Sequence, residues 1–66
     1  MDVASSAIRS VDWSGDILTV RFHETGTYDY FDVPESVYRA FLEAPSKGAF
    51  FNEAIRDRYP FRRTGA

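Results

Sequence analysis

Between Ile17 and His23, apolar and polar residues alternate: Leu18, Val20 and Phe22 fall on one side of the chain, Thr19, Arg21 and His23 on the other. A period of two marks a half-buried strand. Val11 and Trp13 form a shorter alternation before this segment, and Tyr28 and Tyr30 another after it. Past Pro34 the period lengthens. Val37, Tyr38, Phe41 and Leu42 recur as the stripe of an amphipathic helix. Phe51, Ile55 and Tyr59, spaced by four beside Phe50 and Ala54, mark a second helix. The pattern reads βββαα.

Turn chemistry predicts how the strands pair. A two-residue Gly15-Asp16 loop suits a type II′ turn, because glycine accepts positive φ at its first position. That loop sets Trp13 against Leu18 and Val11 against Val20. The next connection is Glu24-Thr25-Gly26. A two-residue Thr25-Gly26 turn would force a β-branched residue to positive φ, so a three-residue loop with Gly26 as the left-handed bulge residue is predicted. It pairs Phe22 with Tyr28, Val20 with Tyr30, and Arg21 with Asp29. The inner face is then Val11, Trp13, Leu18, Val20, Phe22, Tyr28 and Tyr30. The outer face is Ser10, Asp12, Thr19, Arg21, His23, Asp29 and Phe31.

The helix boundaries follow similar rules. Pro34 fits the first helical position and Glu35 complements the positive helix end. Ala44-Pro45 stops this helix, Ser46 caps the next, and Pro60 ends it. Three antiparallel strands cannot bury an aromatic face alone. The expected fold is therefore α+β: a three-stranded antiparallel meander with two C-terminal helices packed on one face.

Composition explains how so small a chain builds a core. Aromatic residues make up 17% of its 66 residues, and it has no cysteine. Large rings replace disulfide staples here. The size limits the chain to one small domain, residues 1–66, and excludes a multidomain enzyme. No apolar run approaches the ~20 residues of a membrane span, and the acid-bearing first residues lack the apolar centre of a secretory leader. The expectation is a cytoplasmic protein without a membrane partner. The net charge of −2 is unevenly divided, with a formal −4 over residues 1–33 and +2 over residues 34–66. A pI near 5.1 argues against a dedicated nucleic-acid binder, but the terminal arginines leave a local basic edge.

Several elements in order resemble one family. They are Tyr28-x-Tyr30 after the Gly26 turn, Val33-Pro34 followed by Val37-Tyr38, and Ser46-Lys47-Gly48 followed by Phe51-Asn52, Ile55-Arg56 and Tyr59. With Ser5-Ser6 and the Leu18-x-Val20-x-Phe22 strand, they are similar to the KTSC domain. This small bacterial domain occurs alone and at the C-terminus of some lysyl-tRNA synthetases. Pro45 departs from the pattern, which has a polar residue there. The resemblance implies no established activity; RNA association follows only from the family's company.

The residues offer few candidates for chemistry. Tyr28 and Tyr30 suggest a base-stacking platform, but the predicted loop turns both rings toward the helices as core. A helix N-terminus at Ser46-Lys47-Gly48 could attract phosphate, but a simple cap alone explains it, and Gly48 makes no phosphate loop without the rest of such a motif. Arg56, Arg58, Arg62 and Arg63, interleaved with Tyr59 and Phe61, form the clearest basic cluster. On one continuous helix Arg56 and Arg58 would lie ~200° apart, which weakens it as a patch. His23 has no second histidine or cysteine with which to bind a metal. Ser5 and Ser6 lack the context of a nucleophile, and Asp12, Asp29 and Asp32 read as cross-strand ion-pair partners.

These observations support a noncatalytic binding module with no cofactor, no metal and no small-molecule substrate. One hypothesis is an RNA-associated accessory domain, with tRNA a candidate, contacting phosphate through Lys47, Arg56, Arg58, Arg62 and Arg63. The other is a protein-interaction or self-association module using Arg21, Phe31 and Phe61 on the outer sheet face or at a sheet edge. Tyr28, Tyr30, Ser46 and Gly48 are expected to be structural.

Overall fold

The computed structural model describes residues 1–65. Strands β1 (Ile8–Ser14), β2 (Ile17–Phe22) and β3 (Thr27–Tyr30) form the predicted meander. Helix α1 (Glu35–Glu43) and helix α2 (Lys47–Phe50) follow, the latter prolonged by a π-helical turn over Phe51–Ile55. A further strand, β4 (Phe61–Gly65), then returns beside β3, giving the antiparallel order β1-β2-β3-β4. The class is α+β as expected, but the sheet has four strands rather than three.

The β1–β2 register is the predicted one, with Trp13 opposite Leu18 and Val11 opposite Val20. The turn differs. Gly15 and Asp16 both have positive φ, 56° and 66°, which is the type I′ signature rather than type II′; aspartate tolerates that region better than most residues. β1 also begins earlier than the alternation suggested. Ile8 lies opposite Phe22 and Ser10 opposite Arg21, so Arg9 is a bulge. The extra residue changes the parity of the strand and brings Ile8 onto the inner face, where it is buried.

The β2–β3 register departs from expectation by two residues. Val20 pairs with Tyr28, Leu18 with Tyr30, Thr19 with Asp29 and Arg21 with Thr27. The Phe22 N–H donates to the Gly26 carbonyl at 2.9 Å, so the loop is His23-Glu24-Thr25, one residue earlier than predicted. Gly26 still supplies the positive φ, at 101°. A shift of two preserves which side each residue occupies, so both tyrosines stay on the inner face. Its consequence is felt on the outer face. Arg21 pairs with Asp12 at 2.7 Å rather than with Asp29, and Asp29 accepts a hydrogen bond from the Thr19 hydroxyl at 2.7 Å.

Trp13 seats α1 over the β1 side of the sheet. Its indole N–H donates to the Val33 carbonyl at 2.7 Å, and its ring stacks on Tyr38. Pro34 takes the cap position just before the helix, one residue earlier than predicted. The Ser46 hydroxyl caps α2 by accepting from the Ala49 N–H at 3.2 Å, as expected. Val11, Leu18, Val20, Val33, Phe41 and Ile55 are fully buried between the layers.

The second helix is shorter than its periodicity implied. It ends at Ile55; Arg56 is extended and Asp57 has a φ of 62°, which reverses the chain. Tyr59 therefore lies outside any helix, although it still packs half-buried against the core. This reversal is what carries the C-terminal segment back to β3.

Candidate functional site

Because α1 sits over β1, the inner face is unevenly roofed. Beside β3 and β4 the cover comes from the π-turn, through Phe51, and from the reversal that follows it, through Arg56 and Asp57. An open cleft of about 570 Å³ results, floored by Phe22, Tyr28, Tyr30 and Phe61 and walled by Phe51, Arg56 and Asp57. A volume of this size falls within the range of ligand sites.

Each element contributes for a local reason. The period-two pattern of β2 and β3 directs Phe22, Tyr28 and Tyr30 inward. β4 places Phe61 opposite Tyr30, and Arg63 opposite Tyr28 on the same side of the sheet. The π-turn closes through an Arg56 N–H to Phe51 carbonyl bond at 2.8 Å, which presents Phe51 downward and leaves Arg56 at the rim. Such single π-turns recur at functional sites.

The rings form one connected set. Phe61 lies 5.8 Å from Tyr28 and 5.5 Å from Tyr30 between centroids, and Tyr28 stacks on Tyr30 at 6.5 Å. Phe51 meets Tyr30 edge-on at 5.6 Å and Phe22 at 5.2 Å. Exposure grades outward across this set: Tyr30 is 5% exposed, Tyr28 is half-buried, and Phe61 is 57% exposed. Burial, and then Tyr28, push the Tyr30 phenol up to about 12; Arg56 pulls against them and Asp57 adds a final increment. The Tyr30 hydroxyl is thus within electrostatic reach of both charged wall residues. Among the described residues the ion pairs are Met1–Asp12, Arg21–Asp12 and Arg39–Glu35, so Arg56 and Asp57 face the cleft unpaired.

The five candidate cations do not form one patch. Arg56 lines the cleft, and Arg63 stands opposite Tyr28 on the same side of the sheet. Arg62, opposite Asp29, lies on the outer face, and Arg58 is exposed in the reversal. Those two are separated from the cleft by strand alternation and by the turn, not by the helical angle the sequence suggested. Lys47 begins α2, at the opposite end of the second helix from Arg56; its ammonium donates to the Ala44 carbonyl at the end of α1. Gly48 is half-buried in the same turn.

The candidate partner residues are also divided. Arg21 is on the outer face, held by Asp12. Phe61 is on the inner face at the mouth of the cleft. Phe31 follows β3, half-buried, with its N–H donating to the Pro60 carbonyl at 2.8 Å. His23 reaches the Ser5 carbonyl at 3.1 Å, and the Ser5 hydroxyl accepts from the Ala7 and Ile8 N–H groups. Among the described residues no group of three acids or histidines could hold a metal, and no helix is long and apolar enough to cross a membrane.

Sequence reasoning did not single out Asp57, Phe51 or Phe22 as site residues. Phe22 and Phe51 read correctly as inward-facing, and nothing local says that the roof above them is incomplete. Asp57 carried no signal, because its role depends on the helix ending early.

Comparison with known proteins places this geometry among relatives. Residues 4–59 match the family model described as the KTSC domain. A crystal structure of a KTSC domain protein from Yersinia pestis superposes with a TM-score of 0.95 at 39% identity, covering 98% of this chain and 94% of that one. A protein from Tsukamurella paurometabola is 39% identical over 59 residues, covering 86% of this chain and 88% of its relative. A lysine–tRNA ligase from Nostoc punctiforme is 43% identical over 44 residues, 67% of this chain; the match spans 8% of the ligase.

Proposed function

The chain belongs to the KTSC domain family, and from that premise we propose that it is a noncatalytic module whose open cleft binds single-stranded RNA. The observation that carries the reading is the pairing of a graded aromatic floor with two arginines. Every nucleobase has a face that stacks on an aromatic ring, and Tyr28 and Phe61 present such rings to solvent. Arg56 and Arg63 flank them where the phosphates of a stacked strand would run. Similarity to a short part of a lysine–tRNA ligase is consistent with work beside RNA. His23 and Ser5 are engaged with backbone groups, His23 with the Ser5 carbonyl and the Ser5 hydroxyl with the Ile8 N–H.

Salt dependence tests this. Each phosphate contact on a single strand contributes a slope of about −0.7 in log affinity against log salt. Two contacts, from Arg56 and Arg63, predict a ~7-fold loss between about 50 and about 200 mM salt; four, with Arg58 and Arg62, predict ~50-fold. Fluorescence anisotropy with a labelled oligouridine, alongside tRNA, reads the difference. Undetectable binding at low salt would end the proposal.

A second reading rests on β4, which among the described residues pairs on one side only. An open edge can accept a strand from another chain. The other edge is occupied, since Val3 and Val11 pair through their N–H groups with Arg9 and Met1 along β1. Sedimentation across a concentration series addresses self-association; a monomer throughout would count against a homodimer.

A further inference from the structure

We infer that the carboxylate of Asp57 makes the cleft selective for guanine among the bases. The inference rests on the RNA reading above and names what the cleft prefers. A carboxylate only accepts hydrogen bonds. Guanine is the base whose Watson–Crick edge offers two adjacent donors, its ring N–H and its amino group, and together they match both oxygens of a carboxylate. Adenine and cytosine set a lone pair beside their amino group, and uracil sets two carbonyls around its one N–H. Each of those would aim a lone pair at Asp57.

The carboxylate shares its cleft with the rings on which a base would stack. Asp57 lines the same cleft as Tyr28, Tyr30 and Phe61, and it is unpaired among the described residues. The turn itself does not require the charge. A φ of 62° suits asparagine or glycine as well as aspartate. The arginines select the class of occupant. A lysine or arginine side chain would suit the rings and Asp57, but Arg56 and Arg63 repel it. A ligand that is anionic along its backbone and donor-rich at its base edge satisfies all four features.

The test uses oligouridine of about ten nucleotides carrying one central guanosine, inosine, adenosine or cytidine. A bidentate match predicts guanosine tighter than adenosine or cytidine by about 5- to 150-fold, with inosine, which lacks the amino group, in between. Asp57→Asn keeps the backbone conformation and should bring all four oligomers within about twofold of one another, while plain oligouridine, no longer facing the carboxylate, binds at least as tightly as to the wild-type protein. Equal affinity for all four with the wild-type protein overturns the guanine assignment while the RNA reading stands. A preference for guanosine that survives in Asp57→Asn overturns the role of Asp57. If none of the oligomers binds, the RNA reading itself falls and takes this inference with it.

Discussion

Phe61→Ala separates a ligand contact from a core residue, because the two roles predict effects of different size in different assays. Full burial of a phenylalanine side chain stabilises a fold by ~1.5–3 kcal/mol. Phe61 is 57% exposed, so less than half of that contribution is at stake, or ~0.5–1.3 kcal/mol. A domain of this size has a total stability of roughly 3–10 kcal/mol, and the variant should remain folded. With a urea slope of about 1 kcal/mol per M, the unfolding midpoint should fall by ~0.5–1.3 M. Trp13, stacked on Tyr38, provides the fluorescence signal. Loss of one stacking platform should weaken oligouridine binding by ~1–3 kcal/mol, about 5- to 150-fold in Kd. Anisotropy titration of the folded variant measures it. Wild-type affinity in a folded Phe61→Ala protein would refute the stacking argument. Unfolding of the variant would refute the claim that Phe61 is peripheral to the core.

Two further outcomes test the fold and the electrostatics. With its phenol raised to about 12 in the folded state, Tyr30 keeps its proton after the unfolded chain has lost it. Stability should therefore be unaffected below pH 10 and decline between pH 10 and 12; ultraviolet titration should show a late-ionising tyrosine that disappears in Tyr30→Phe, and its persistence there would assign the shift elsewhere. At the β1–β2 turn, Gly15 has a φ of 56° with nothing within 4 Å of an added Cβ, so strain alone sets the effect. Gly15→Ala should cost ~1–2 kcal/mol in denaturant melts and Gly15→Asn clearly less; equal costs would contradict the type I′ assignment.

The sequence by itself determined the parts of this protein that local chemistry controls. Period-two alternation placed Leu18, Val20, Phe22, Tyr28 and Tyr30 on one face, and they stay there because the loop falls one residue earlier than predicted and the pairing shifts by two, an even number. Ser46 announced its cap, and helical spacing identified Phe41, Phe51 and Ile55 as core. What only the tertiary structure decided is non-local. β4 exists because Tyr28 meets Arg63 and Tyr30 meets Phe61, pairings across more than thirty residues that leave no periodic trace in so short a strand. Ile8 reaches the inner face only through the bulge at Arg9, which reverses the parity an alternation rule relies on. The cleft is an effect of coverage: Trp13 anchors Val33 and draws α1 toward β1, and the early end of the second helix at Ile55 leaves the rings over β3 and β4 half open. The terminal arginines were visible as a run of charge, but a run says nothing about sides. Strand alternation sends Arg62 to one face and Arg63 to the other, and only the pairing of β4 with β3 establishes which of them stands beside the tyrosines.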